Sequence, residues 1–359
     1  MPPTPPPAPF TAAPAEPLRQ RVHLDDHAEL LAQAVELPGD GEHPTLALAR
    51  RVSPEGASRG PVVLVHGFAQ NRYTWDCTDR SMAAWLATQG WDVYNLELRG
   101  HGLSRPPQGL TGERFADYVT DVARVARAFD GQAFFVGHSL GGAASYGAAT
   151  IAPMRGVVGI GALFQFAQAN WLLKLLGLIS HGAEDFIVGQ GLTLRTKAAG
   201  QLLARLYAVS DVAGYAFPIS GWWPGSVEPP LLHERLVKGF DWTSLRVWLD
   251  MSRWAATGKF EYEEAWSKLN LPLLVLAGDE DHLMPPDDAR VAFDRSGSAD
   301  KQYEVLNHAD HEVHWGHLDL ILGTQAPRFV SRRTSLFPSV DDRGASPPKR
   351  AKKTASSPR

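Results

Sequence analysis

Short, continuously apolar runs alternate with longer segments of helical spacing between about residues 60 and 330. Pro61-Val62-Val63-Leu64-Val65-His66 is too evenly apolar to keep one face in water, so it predicts a strand covered on both sides. Trp91 to Glu97, Gln132 to Val136, Gly156 to Phe164, Leu271 to Gly278 and Tyr303 to Leu306 read the same way. A helix is expected from about Arg80 to Gln89. A second runs from Glu113 to Phe129, where Phe115, Tyr118, Val119, Val122, Val125 and Ala126 share a face. A last helix is expected near 318–330. Buried strands alternating with helices predict an α/β protein whose mostly parallel sheet is covered on both faces. Sites in such sheets gather at the carboxyl ends of the strands.

The alternation breaks over 167–268, which reads as helical and holds seven of the eleven tryptophans, among them Trp171, Trp222, Trp223, Trp248 and Trp254. The expected layout is a core over 21–166 and 269–337 with 167–268 inserted as a helical cap, or lid, above the strand ends. Asn170 to Ile179 is the most apolar part of that cap. It reads first as the cap's own core, and otherwise as the lining of an apolar substrate pocket or as a surface touching lipid. Aromatic richness beside a concave site favours an apolar ligand. The Pro/Ala-rich residues 1–20 and the stretch 338–359 are expected as disordered tails. The second carries Pro347-Pro348-Lys349-Arg350-Ala351-Lys352-Lys353, read as a solubilising basic tail, with a nuclear signal or an anionic contact as alternatives.

Composition narrows the class. The chain has 359 residues, 44% of them hydrophobic, enough for one large domain with an insertion or for two domains. A formal net charge of −4 argues against a nucleic-acid partner. The single cysteine, Cys77, cannot form an internal disulfide and reads as a structural thiol. No apolar run approaches the ~20 residues that span a bilayer. The start lacks the charged-then-apolar layout of a secretory signal. A cytoplasmic protein without an integral membrane segment is the expectation.

Gly137-His138-Ser139-Leu140-Gly141 matches G-x-S-x-G, with a strand before it and a run of small residues after it. That context presents a serine on a tight strand-to-helix turn; a turn whose serine only caps the helix is the plainer alternative. A serine hydroxyl is a weak nucleophile until a base takes its proton, and the base needs a third group to orient it. In this layout the acid and the histidine follow the serine along the chain. Gly278-Asp279-Glu280-Asp281-His282 follows a buried strand and offers Asp281 as the acid, with Asp279 and Glu280 as alternatives in the turn. His308, His311, His314 and His317 recur at three-residue intervals. His317 is the preferred base. His311, nearer the strand end, is the alternative. His308 and His314 are then structural or exposed. These histidines with Asp310 and Glu312 also raise a metal site, but H-E-x-x-H is missing by one residue. Backbone N–H groups of Leu140 and Phe68 are the expected oxyanion donors. His66, which ends a strand ahead of the serine, is expected as a structural hydrogen-bonder.

The succession His66-Gly67-Phe68, Leu98-Arg99-Gly100-His101-Gly102-Leu103-Ser104, Gly137-His138-Ser139-Leu140-Gly141-Gly142 and Gly278-Asp279-Glu280-Asp281 resembles the α/β-hydrolase superfamily over roughly residues 60–330. Gly316-His317-Leu318-Asp319-Leu320 is similar to the G-H-x-D-L ending of acid-lipase-like and polyhydroxyalkanoate-synthase-like members, which favours His317 over His311. The synthases carry cysteine at the elbow, so Ser139 favours hydrolysis. Serine there also disfavours the aspartate-nucleophile dehalogenases and epoxide hydrolases. The resemblance implies a mostly parallel eight-stranded sheet with a helical cap. With the triad candidates it points to a serine esterase or lipase-like enzyme that needs no cofactor and acts on a small-molecule ester, and the aromatic-rich cap leads to the expectation of an apolar acyl chain. A thioesterase or acyltransferase with the same triad, or a binding protein on this scaffold, is the alternative.

Overall fold

The computed structural model describes residues 4–23, 25–106, 112–183, 193–194, 198, 201–202 and 221–326. The strands are β1 (Thr11–Ala12), β2 (Glu16–His23), β3 (Asp26–Leu37), β4 (Leu46–Val52), β5 (Gly60–Val65), β6 (Trp91–Leu96), β7 (Phe134–His138) and β8 (Gly156–Ile160). β9 (Thr193–Leu194) and β10 (Thr243–Ser244) pair with each other, and β11 (Leu273–Gly278) and β12 (Lys301–Leu306) complete the set. The main sheet runs β1-β3-β4-β6-β5-β7-β8-β11-β12, with β2 also paired to β3. From β6 to β12 every pairing is parallel, whereas the strands before β5 join antiparallel.

Apolar residues on both faces explain the parallel half. Val63 and Val65 belong to one buried cluster with Phe135, Val157 and Val275. Val62 and Leu64 belong to the other with Val136, Val158 and Leu274. Side chains alternate across a strand, so continuous apolar runs feed two cores. Helix α1 (Met82–Thr88) covers one face. Helices α2 (Phe115–Ala128) and α3 (Leu140–Ala149) cover the other.

Among the described residues the sheet has ten strands rather than the expected eight, because part of the Pro/Ala-rich start joins it instead of forming a tail. Residues 11–12 and 16–23 are strands on the β3 edge. Phe10 packs against Tyr94 and Phe129, with ring centroids 6.1 and 4.9 Å away. The guanidinium of Arg50 donates to the Thr4 carbonyl at 2.8 Å. Prolines are tolerated here because an edge strand leaves half its N–H groups unpaired. The stretch 338–359 lies outside the described residues, as do residues 327–330 of the expected last helix, whose described part is a short helix over Asp319–Leu322.

Within 167–268, helices occupy Trp171–Gly182, Pro229–Lys238, Leu245–Thr257 and Glu263–Trp266. Several contacts tie this interval to the strand-end loops, among them the following. Asn170 Nδ2 donates to the His282 carbonyl at 2.6 Å. The Asp241 N–H donates to the Ala69 carbonyl at 2.8 Å. The Leu318 N–H donates to the Gly221 carbonyl at 2.8 Å.

Candidate active site

Ser139 sits between β7 and α3 with φ 55° and ψ −125°, a backbone conformation that side chains other than glycine rarely adopt and that stores strain. The flanking glycines are set by close approach. A Cβ on Gly141 would lie 2.3 Å from the His66 carbonyl oxygen, and one on Gly142 would lie 2.2 Å from Ala162 Cβ. The turn can therefore press α3 onto β5 and residue 162 only without those side chains. The Ser139 N–H donates to the Ile160 carbonyl at 3.0 Å, pinning the elbow to the neighbouring strand.

Asp281 leaves β11 in a turn closed by its own N–H to the Gly278 carbonyl. Oδ1 accepts the Leu283 and Met284 N–H groups at 3.0 and 2.7 Å. Oδ2 lies 2.7 Å from His317 Nδ1. Both side chains are buried. A carboxylate only accepts, so Nδ1 carries the hydrogen and Nε2 is left as the basic nitrogen. The His317 ring lies 4.4 Å, centroid to centroid, from that of His138, the neighbour of Ser139. Elbow, carboxylate and imidazole thus meet at the carboxyl ends of β7 and β11, across 179 residues of sequence between His138 and His317.

The alternatives go elsewhere. Asp279 Oδ2 pairs with His314 Nδ1 at 2.7 Å and Oδ1 accepts the Trp315 N–H at 2.8 Å. Glu280 pairs with His282 at 3.3 Å. His311 Nδ1 lies 3.2 Å from the Asn307 carbonyl and its ring packs edge-on to Trp315. His308 stacks on His314 at 4.9 Å. Among the described residues no group of three or more His, Cys, Asp or Glu is arranged to hold a metal ion.

Gly67 passes beside the elbow: a Cβ there would come 2.9 Å from Ser139 Cβ. The Phe68 backbone therefore follows directly past the serine, and Leu140 opens α3 next to it. His66 is buried, with Nε2 accepting from the Leu98 N–H at 3.1 Å and Nδ1 2.9 Å from the Gly67 carbonyl. Burial, then the neighbouring His101, holds it well below the usual histidine range. Cys77 is buried, and burial pushes its thiol up to about 12.

Two further residues shape the site. Gly161, at φ +50°, lies under the pair: a Cβ there would be 3.1 Å from both Asp281 Oδ2 and His317 Nδ1. Asp319 accepts the Gly316 N–H at 2.6 Å, the Trp223 N–H at 2.7 Å and the Ser226 hydroxyl at 2.6 Å, clasping residues 223–226 onto the His317 loop. The G-H-x-D-L likeness contained Asp319 but carried no signal of its partners. Gly161 was hidden inside an apolar run.

A family model described as the alpha/beta hydrolase fold matches residues 60–318. The chain belongs to the α/β-hydrolase family. This α/β-hydrolase is similar to epoxide hydrolase B of Mycobacterium tuberculosis, at 36% identity over 110 residues, about 30% of either chain. Its fold resembles a monoacylglycerol lipase of Paleococcus ferrophilus, with TM-score 0.54, 19% identity, and 78% of this chain and 95% of that one covered. It also resembles a soluble variant of the Saccharomyces cerevisiae monoglyceride lipase, with TM-score 0.58, 16% identity, and 85% and 95% covered. No helix among the described residues of this α/β-hydrolase is long and apolar enough to cross a membrane.

Proposed function

We propose that the protein hydrolyses a carboxylic ester with an apolar acyl chain through a Ser139-His317-Asp281 triad. The observation that carries this reading is the buried 2.7 Å pair of His317 and Asp281 beside a serine held at φ 55°. Ser139 Oγ attacks the ester carbonyl and His317 Nε2 takes its proton. Asp281 holds the imidazole tautomer and stabilises the imidazolium. The oxyanion is received by the N–H groups of Leu140 and Phe68. His317 returns the proton to the leaving alcohol, and water then releases the acyl group by the same steps in reverse. No cofactor enters this chemistry. Serine at the elbow separates the reading from an aspartate-nucleophile epoxide hydrolase.

Residues 167–268 act in this reading as a cap over Ser139, inserted into a core that includes the edge strands from residue 11 onward. Phe68 and Phe166 packing against Trp248, at 6.3 and 6.4 Å between centroids, support an apolar acyl pocket beneath it. The proposed location is the cytoplasm. The test is hydrolysis of nitrophenyl esters of increasing acyl length by wild type and Ser139→Ala. The reading expects turnover that rises with chain length and is lost in the variant. Equal turnover in Ser139→Ala overturns the mechanism, and a preference for the shortest acyl chain overturns the apolar pocket.

A further inference from the structure

His138 occupies the free position of the elbow motif, and no step of the proposed chemistry uses it. Its side chain is fully buried. Nε2 lies 3.2 Å from the His317 carbonyl oxygen, and the two rings pack at 4.4 Å between centroids with 43° between planes. A carbonyl only accepts, so Nε2 carries the hydrogen and donates. This bond joins the residue next to the serine to the residue that serves as base. Its near end is rigid: His138 pairs with Ile160 in the β7–β8 ladder, and the next N–H donates to the Ile160 carbonyl at 3.0 Å.

The far side of the ring fixes its protonation. With the hydrogen on Nε2, a second proton would have to sit on Nδ1. That atom is buried and has no hydrogen-bond partner among the described residues. Trp75 packs edge-on to the ring at 6.3 Å. The Arg235 guanidinium, also fully buried, acts on His138 as a like charge. Arg235 donates to Thr74 Oγ1 at 3.3 Å and lies over the Phe240 ring at 5.4 Å. Its Nε and Nη1 have no hydrogen-bond partner among the described residues. Burial first, then the charges of His317 and Arg235, hold His138 well below the usual histidine range. A neutral ring has one tautomer compatible with the carbonyl, and that tautomer is a permanent donor.

We propose that His138 is a positioning residue for the base, its Nε2–H holding the His317 main chain at a fixed distance from Ser139. The inference rests on the reading of Ser139 and His317 as nucleophile and base. A displacement of about 1 Å in a catalytic group costs on the order of 10²-fold in rate, so the bond acts on kcat rather than on substrate affinity.

The experiment compares wild type, His138→Phe and His138→Gln on one nitrophenyl ester, with thermal unfolding as a check on folding. Phenylalanine keeps a ring and loses the donor; glutamine places an amide N–H near the position of Nε2. The expected result is a kcat lowered about 10- to 100-fold in His138→Phe, with KM changed by less than about threefold and most of the loss restored in His138→Gln. A folded His138→Phe with wild-type kcat overturns the proposal, as does an equal loss in both variants. Nitrogen-15 imidazole spectra of the wild type give a reading that no variant's folding can obscure. They are expected to show one histidine fixed as the neutral Nε2–H form from pH 5 to 9. Assignment of His138 as Nδ1–H, or as titrating in that range, overturns the proposal. Loss of the functional reading shows separately, as wild-type turnover that survives Ser139→Ala.

Discussion

Replacing Asp281 by asparagine separates its chemical role from its structural one. Asp281 Oδ1 accepts two backbone N–H groups, from Leu283 and Met284. An asparagine must keep its oxygen on that side, because its NH₂ group would otherwise face two donors. The NH₂ then faces His317 Nδ1 at the position now held by Oδ2, 2.7 Å away. It donates to Nδ1, so the imidazole hydrogen moves to Nε2, where it blocks proton abstraction from Ser139. A wrong tautomer of this kind costs on the order of 10⁴ in kcat, or about 5.4 kcal/mol of transition-state stabilisation. Folding changes little, because the two amides keep their acceptor. Asp281→Ala loses activity as well but also strands both amides, at about 1–3 kcal/mol each. Steady-state kinetics on a nitrophenyl ester, with urea unfolding of both variants, reads these effects together. Asp281→Asn within tenfold of wild-type kcat, in a folded protein, rules out this tautomer role for Asp281.

Ser139→Gly removes a side chain from a backbone at φ 55°. Relief of about 1–3 kcal/mol of strain, less roughly 0.5–1 kcal/mol of glycine entropy, is expected to raise the urea midpoint while abolishing turnover; a lower midpoint contradicts this. Burial pushes the Asp319 carboxyl from 3.8 up to about 7. Between those values the native state holds a proton that the unfolded state has lost, so this group's contribution to stability falls as pH rises from 3.8 to about 7. Asp319→Asn is expected to flatten the unfolding-temperature profile over that range, and parallel profiles would sink the assignment. Cys77, with its thiol pushed up to about 12 and its Sγ donating to the Tyr73 carbonyl at 3.2 Å, is expected to resist iodoacetamide at pH 8 until the protein is unfolded. Prompt alkylation of the native protein is the contrary result.

The parallel half of the sheet was legible because strands buried on both faces must be apolar throughout, as in Leu273–Gly278. The antiparallel half was not. Asp26–Leu37 is rich in Ala, Leu, Glu and Gln, residues that favour helix, yet it is a strand. Its place between β4 on one edge and β1 and β2 on the other outweighs local preference. Pro-rich composition hid the edge strands for a related reason: an edge asks little of the backbone N–H groups that proline lacks. At the site, the elbow motif and chain order pointed to Ser139 and Asp281, because a strand end followed by a polar residue is a local signal. Chain order left His311 and His317 both open, and only the G-H-x-D-L likeness separated them; which ring reaches Asp281 is a distance set by the packing of β11 and the following loop. Contacts such as Asp319 with Trp223, or His138 with His317, join residues 96 and 179 positions apart and leave no mark on spacing.

In the proposed triad one hydroxyl is made nucleophilic by a distant imidazole and carboxylate. Treatment of the native protein with a fluorophosphonate, followed by mass spectrometry of its peptides, probes that hydroxyl. A single adduct is expected, on Ser139, forming at least a hundredfold more slowly in His317→Ala. An adduct on another residue, or none on a folded wild type, would contradict the triad.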